Sequence, residues 1–424
     1  MLVLEGRAFH RGRIESVAVG IEGGRIARVA KAIEGDERED YGERLILPGG
    51  VDLHVHFREP GATHKEDFAS GTAGAAVGGV TTVLDMPNTS PPVATKKAYE
   101  EKLALVRGKA NVDFGLYAGI RAEADVGVFA GLAPALKLYM APTTGNLEVR
   151  DNAVLREIVH ATAEARSFLS VHAEAPWRFG KEEGRTLPAH DHMRPPEAEE
   201  SAIRFLADAA KECEQSPRVH LAHLTSSLGL AAVAGTGFTT EVTPHHLFLD
   251  ETMALDARGK VNPPLRTPAD RQALWDALVG GGVDCVASDH APHTRDEKDE
   301  PFEDAPSGVP GVETMLPLLL RAVKRGDLPL ERFVQVAATR PSELLGLNGG
   351  TIEAGRLANL IVVDPRDVTV IRAKLLHGKC GWTPYEGMEG VFPQAVYVRG
   401  ELAVSDRELV RERLGKPIPV PKPS

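Results

Sequence analysis

The chain has 424 residues, 42% of them hydrophobic and 26% charged. That is enough for a sizeable core and for two to three domains, or for one large barrel with an appendage, and it excludes a disordered or collagen-like chain. The net charge of −11 argues against a nucleic-acid partner, no apolar run reaches a membrane span, and the N-terminus lacks the basic and apolar regions of a signal peptide.

Residues 1–48 read as short strands with glycine turns. Segments 17–21 and 25–29 flank Glu22-Gly23-Gly24, a hairpin signal. Segments 360–365 and 395–401 read the same way near the other end. The economical reading is a small composite β-sandwich domain built from both chain ends, 1–48 plus 346–424, with a larger domain, 49–345, inserted between them. That larger domain alternates apolar strand runs with helical patterns. Eight strands are expected at 50–57, 80–86, 112–118, 135–140, 168–173, 219–224, 238–243 and 283–288. Helices are expected between them, for example at 151–164, 196–213 and 269–279. Eight β-then-α units predict an α/β protein, a (β/α)8 TIM-type barrel. A doubly wound open sheet is the alternative, but it calls for a Gly-rich phosphate turn after an early strand. Gly71-Thr72-Ala73-Gly74 lies before a strand instead. Cys213, Cys285 and Cys380 are too far apart for a disulfide framework or a CxxC zinc site, which points to a cytoplasmic protein. Four Gln and seven Asn against 30 Pro fit a thermophilic source or a GC-rich genome alike.

In such a barrel the catalytic groups come from the C-terminal ends of the strands. Strand one ends Asp52-Leu53-His54-Val55-His56-Phe57-Arg58. Period two puts Asp52, His54, His56 and Arg58 on one face, which cannot be an ordinary packed layer. Two imidazoles two residues apart can grip one metal ion. His172 ends strand five, His223 ends strand six, and Asp289 ends strand eight, followed by His290 and His293. Any one of these histidines alone would read as a satisfied core residue. Four histidines and an aspartate at the same level of four strands do not, and such ligands suit Zn²⁺, with Mn²⁺ or Fe²⁺ less frequent. Lys137 sits in the middle of apolar strand four. It either snorkels to the rim, or is a neutral amine that adds CO₂ to form a metal-bridging carbamate.

The motifs DLHVHFREPG (52–61), DMPNTSP (85–91), LKLYMAPT (136–143), TPHHLFL (243–249), NPPLR (262–266), SDHAPHTRDEK (288–298) and GVPGVETMLPLLL (308–320) are spread along the chain, with Trp382-Thr383-Pro384-Tyr385-Glu386-Gly387 near its end. Together they resemble the amidohydrolase superfamily and, more closely, its dihydroorotase family. The resemblance implies two Zn²⁺ per subunit, His54 and His56 on the first and His172 and His223 on the second. A carboxylated Lys137 would bridge the two, and Asp289 would serve as both ligand and acid/base. Some bacterial relatives bridge with an aspartate a few residues later, where this chain has Thr143-Thr144-Gly145-Asn146.

The implied reaction is the reversible conversion of N-carbamoyl-L-aspartate to L-dihydroorotate, a step of pyrimidine synthesis. The resemblance places Arg58, Asn88 and His293 on the substrate carboxylate. It places Asn262 and the backbone near Val309, Pro310 and Gly311 on the ring, and Thr143 in a covering loop. From the residues alone, Arg58 reads equally as a surface ion pair, Asn88 as a turn residue and His293 as a helix cap. His245 and His246 read as supporting groups, whereas His10, His160, His190 and His192 read as solvated. The rival readings are a hydantoinase or dihydropyrimidinase, an allantoinase, or a non-catalytic partner of aspartate transcarbamoylase. The expected associations are a small-molecule substrate, a homodimer and association with aspartate transcarbamoylase, with no nucleic acid and no membrane.

Overall fold

The computed structural model describes residues 1–143, 145–181 and 184–421, so Thr144 lies outside the described residues. All eight strands expected in the middle of the chain form. They are Gly50–Val55, Val80–Asp85, Asp113–Gly119, Ala135–Tyr139, Phe168–His172, Arg218–Leu221, Thr239–Val242 and Cys285–Val286, called barrel strands one to eight. They pair in chain order, each parallel to the next. A parallel bridge between Val55 and His290 joins the first strand to the end of the eighth, and the His56 N–H donates to the His290 carbonyl at 2.7 Å. Closure is what a barrel needs and an open doubly wound sheet lacks. Strands six and eight stop short of their expected ends. His223 and Asp289 turn to positive φ, +39° and +43°, which takes the backbone out of the β region.

Alternation along the strands sorts the side chains. Leu136, Leu138, Leu169 and Val171 point outward and share one core with Leu155, Ile158 and Val159 of helix Asn152–Glu164 and with Ile203 and Leu206 of helix Pro196–Lys211. The 3–4-residue spacing on each helix makes the stripe that covers the barrel. Each such buried side chain contributes roughly 1.5–3 kcal/mol. Local signals set the helix ends. Asp151 accepts the N–H groups of Ala153 and Val154, and Gly281, at φ +87°, closes helix Pro268–Gly280.

The two chain ends form one eight-stranded sheet. Leu2–His10, Arg13–Glu22, Arg25–Ala30 and Glu37–Pro48 come from one end, and Leu360–Val363, Ala395–Val398, Glu401–Ser405 and Glu408–Leu409 from the other. The ends meet where 45–48 pairs antiparallel with Leu360–Val363. The expected hairpin forms, with Gly23 and Gly24 supplying φ of +57° and +77° in its two-residue loop. Residues after the sheet run under the barrel. Ile418 donates its N–H to the Phe114 carbonyl at 2.8 Å and buries its side chain at the foot of the barrel. Among the described residues, no helix is long and apolar enough to cross a membrane, and none of the three cysteines is paired.

Candidate active site

The polar face of strand one points into the barrel mouth. Asp52 lies below it, accepting the backbone N–H groups of His54 at 3.1 Å and Ser288 at 3.0 Å, which ties strand one to strand eight under the site. The Nδ1 of His54 is 2.6 Å from Glu241 Oε1, and that of His56 is 2.7 Å from Asn88 Oδ1. Both partners are acceptors, so each Nδ1 carries a hydrogen. Burial pulls the His56 pKa down to about 4, so the ring is neutral at pH 7 and its Nε2 holds a bare lone pair. That Nε2 is 3.1 Å from Asp289 Oδ1, and the His54 Nε2 is 3.3 Å from the same oxygen. Burial pushes the Asp289 carboxyl up, but His54 and His56 outweigh it and hold Asp289 well below the usual carboxylate range. The Nε2 atoms of His54 and His56 and the ionised Asp289 oxygen thus converge on one point, an arrangement suited to ligating a cation. The ligand atoms of His54, His56 and Asp289 lie within 4.8 Å of one another. The donor set fits a divalent metal.

The other two histidines continue the cluster. Ring centroids run His56 to His54 at 5.2 Å, His54 to His223 at 5.4 Å and His223 to His172 at 4.6 Å. His172 Nε2 is 2.6 Å from Glu174 Oε2, so its bare Nδ1 faces inward, 3.0 Å from His223 Nε2. The His223 Nδ1 is buried without a partner among the described residues. Lys137 is completely buried, its Nζ only 3.4 Å from Ser170 Oγ, and burial pulls its pKa down to about 8. A poorly partnered amine and two inward imidazoles fit a second cation-binding position better than they fit a packed core.

His54, His56, Arg58, Asn88, Thr143, His172, His223, Asn262 and Asp289 line one pocket, with Tyr139, Ser307 and Gly308. His293 lies one step back, its Nε2 3.1 Å from Arg58 Nη2. Pro310 and Gly311 line a neighbouring small cavity with Glu66, His290 and Trp382. Arg58, His223 and Asp289 all have positive φ, of +61°, +39° and +43°. Such conformations cost on the order of 1–3 kcal/mol each and cluster at functional sites.

Two expectations are corrected. His10 is buried, its Nδ1 2.7 Å from the Ile352 carbonyl, and His190 is buried, its Nε2 3.0 Å from the Val261 carbonyl. Both partners are remote in sequence, so local pattern could not reveal them. His192 is exposed and His160 is half-buried near Glu212. His246 bonds Thr243 Oγ1 at 2.7 Å, while His245 is buried with neither ring nitrogen partnered among the described residues. Glu241, Glu174 and Arg194 were not foreseen from the sequence. A signal was available for the first two: Glu241 is the one charged residue of strand seven, and Glu174 follows His172 by two residues.

The amidohydrolase family model matches residues 45–403. The chain belongs to the amidohydrolase family. Within it, the sequence lies among the dihydroorotases. It is 42% identical over 411 residues to the dihydroorotase of Halobacterium salinarum, covering 94% of this chain and 96% of that one. It is 37% identical to that of Methanosarcina acetivorans over 93% of this chain and 90% of that one. Among solved structures, the L-hydantoinase (dihydropyrimidinase) of Arthrobacter aurescens superposes with a TM-score of 0.91 at 27% identity, covering 98% of each chain.

Proposed function

We propose that this amidohydrolase reversibly converts N-carbamoyl-L-aspartate to L-dihydroorotate, as its sequence relatives' names indicate. The observation that carries the choice of substrate is Arg58. It is buried in the pocket wall, it donates to the Pro292 carbonyl at 3.1 Å, and no carboxylate among the described residues forms an ion pair with it. A buried guanidinium in contact with no carboxylate, though Asp289, Asp85 and Glu297 act on it from farther off, suits a substrate that brings its own carboxylate. Neutral cyclic amides bring none, which sets this reading apart from the hydantoinases that share the fold.

Two Zn²⁺ would be held here, one by His54, His56 and Asp289 and the other by His172 and His223, and a carboxylated Lys137 would serve as a further ligand. Such ions supply Lewis acidity, lowering the pKa of water from 15.7 to about 7 and polarising a carbonyl. The protein groups do the rest. Asp289, held ionised, takes a proton from the attacking water as the new C–O bond forms. It returns that proton to the ring nitrogen as the amide C–N bond breaks. Arg58, with Asn88, binds the carboxylate, and His293, hydrogen-bonded to the Ser307 carbonyl, packs behind Arg58. Asn262 and the 307–311 backbone hold the ring, and Thr143 covers it. Assaying the purified protein side by side on dihydroorotate, hydantoin and allantoin, with zinc content measured, tests the reading. Turnover of dihydroorotate well above the other two is expected. A preference for hydantoin would overturn the assignment, and a metal-free inert protein would favour a non-catalytic partner.

A further inference from the structure

Helix Leu187–Met193 and the residue after it reach the site from outside at three points. His190 Nε2 lies 3.0 Å from the Val261 carbonyl and 3.0 Å from the side chain of Asn262. A backbone carbonyl only accepts, so Nε2 carries the hydrogen. The Asn262 atom beside it must therefore be the amide oxygen, which leaves the NH₂ group for the pocket that Asn262 lines. Asp191 pairs with Arg266, which also donates to the Arg194 carbonyl at 2.5 Å, so the helix is clamped to the segment carrying Asn262. The Arg194 side chain grips Glu174 with two donors, Nε at 3.1 Å from Oε1 and Nη2 against Oε2. Glu174 in turn holds His172 Nε2 at 2.6 Å. His190, Asp191, Arg194, Arg266, Glu174 and His172 are buried and Asn262 is partly so, so water competes little for most of the contacts.

We propose that residues 190–194 form a brace that sets two distant parts of the site at once. His190 turns the Asn262 amide so that it offers donors to the substrate ring, and Arg194, through Glu174, makes Nδ1 the nitrogen of His172 that faces the pocket. Both are positioning residues. A cyclic imide presents carbonyl oxygens, which an NH₂ group satisfies and a flipped amide would repel. A second partner that fixes a ligand imidazole typically changes metal affinity 10–100-fold. The His190 arm rests on the dihydroorotate reading, whereas the Arg194 arm does not.

The test uses the full-length, zinc-loaded enzyme. His190→Leu is expected to raise KM for dihydroorotate about tenfold, the scale of one hydrogen bond, with a much smaller change in kcat. His190→Gln, which keeps a donor, should recover most of the loss. In an Asn262→Ala background, His190→Leu should add almost nothing. An equal loss in both backgrounds, or a loss confined to kcat, would overturn this arm. Should His190→Leu not fold, His190→Asn, with its shorter reach, is expected to behave the same way, and an equal loss in both backgrounds there overturns the arm as well. For the other arm, Arg194→Met should release zinc to a chromophoric chelator at least tenfold more readily, with Arg194→Lys in between. Unchanged zinc retention would overturn it. A wild-type enzyme inert on dihydroorotate would sink the substrate reading and leave the zinc measurement to decide Arg194.

Discussion

Arg58 Nη2 sits 3.1 Å from His293 Nε2, and Lys65 Nζ sits 3.1 Å from Nδ1 on the other side of the same ring. Two cationic donors flank one imidazole. Burial, reinforced by Arg58 and Lys65, pushes the His293 pKa far down, so the ring is neutral; the Ser307 carbonyl, 3.1 Å from Nε2, only accepts, so Nε2 carries the hydrogen and the ring accepts from Lys65 at Nδ1. Lys65 is neutralised by Glu297 at 2.6 Å. The surplus positive charge therefore stays on Arg58, inside the pocket.

Replacing that charge tests substrate choice. Truncating one partner of a buried charge pair costs about 2–5 kcal/mol, roughly 30-fold to several thousand-fold. Arg58→Met is expected to lower kcat/KM for dihydroorotate by that range with zinc retained. Residual activity on uncharged dihydrouracil should fall much less. Equal losses on both compounds, or loss of zinc, would mean that Arg58 supports the site and does not read the substrate.

Lys137 is expected to carry a carbamate in the metal-loaded enzyme. Its burial holds the pKa near 8, so about a tenth of the amine is neutral at pH 7 and available to react with CO₂. Lys137→Ala should lose the second zinc and nearly all activity, and short carboxylic acids should restore part of it. A crystal structure with an unmodified amine between two fully occupied metals would refute the carbamate.

Asp289 is expected to be the proton carrier as well as a ligand. Asp289→Asn keeps an oxygen donor but no base. It should retain most of the zinc and lose turnover by orders of magnitude. The idea does not survive if the variant keeps more than a tenth of wild-type kcat.

Buried imidazoles make a prediction about acid stability. Burial pulls the pKa values of His56, His190 and His245 from 6.5 down to about 4. The unfolded chain binds more protons than the fold as pH falls from 6.5 to 4, so the stability these groups contribute is full above 6.5 and is lost through that window. Asp52, raised by burial from 3.8 to about 6, opposes them between those two values. His172, His223, His246 and His293 are lowered as well, so the histidines outweigh Asp52 and the urea midpoint of the metal-free protein should fall from pH 7 to pH 5; Lys137 and Lys298, lowered from 10.5 to about 8 and about 7, make it rise further from pH 7 to 8. His245→Phe should flatten the slope, and a midpoint that rises on acidification would contradict the assignment.

Much of this architecture was legible along the chain. Eight apolar runs separated by helical patterns specify a barrel, because strand and helix periodicity are local properties. Histidines and an aspartate at strand ends mark a metal-type cluster, because polar groups on apolar strands are costly without a purpose. What the sequence could not decide was which atoms do the work. The tautomer of His54 is set by Glu241, 187 residues away, and that of His56 by Asn88 from the next βα loop. His10 and His190 become buried through partners 342 and 71 residues away. The sequence by itself determined the strands, their polar faces and the kinds of ligand available. Only the tertiary structure decided the direction each lone pair points, because hydrogen-bond partners are chosen by closure of the barrel and not by neighbours in the chain.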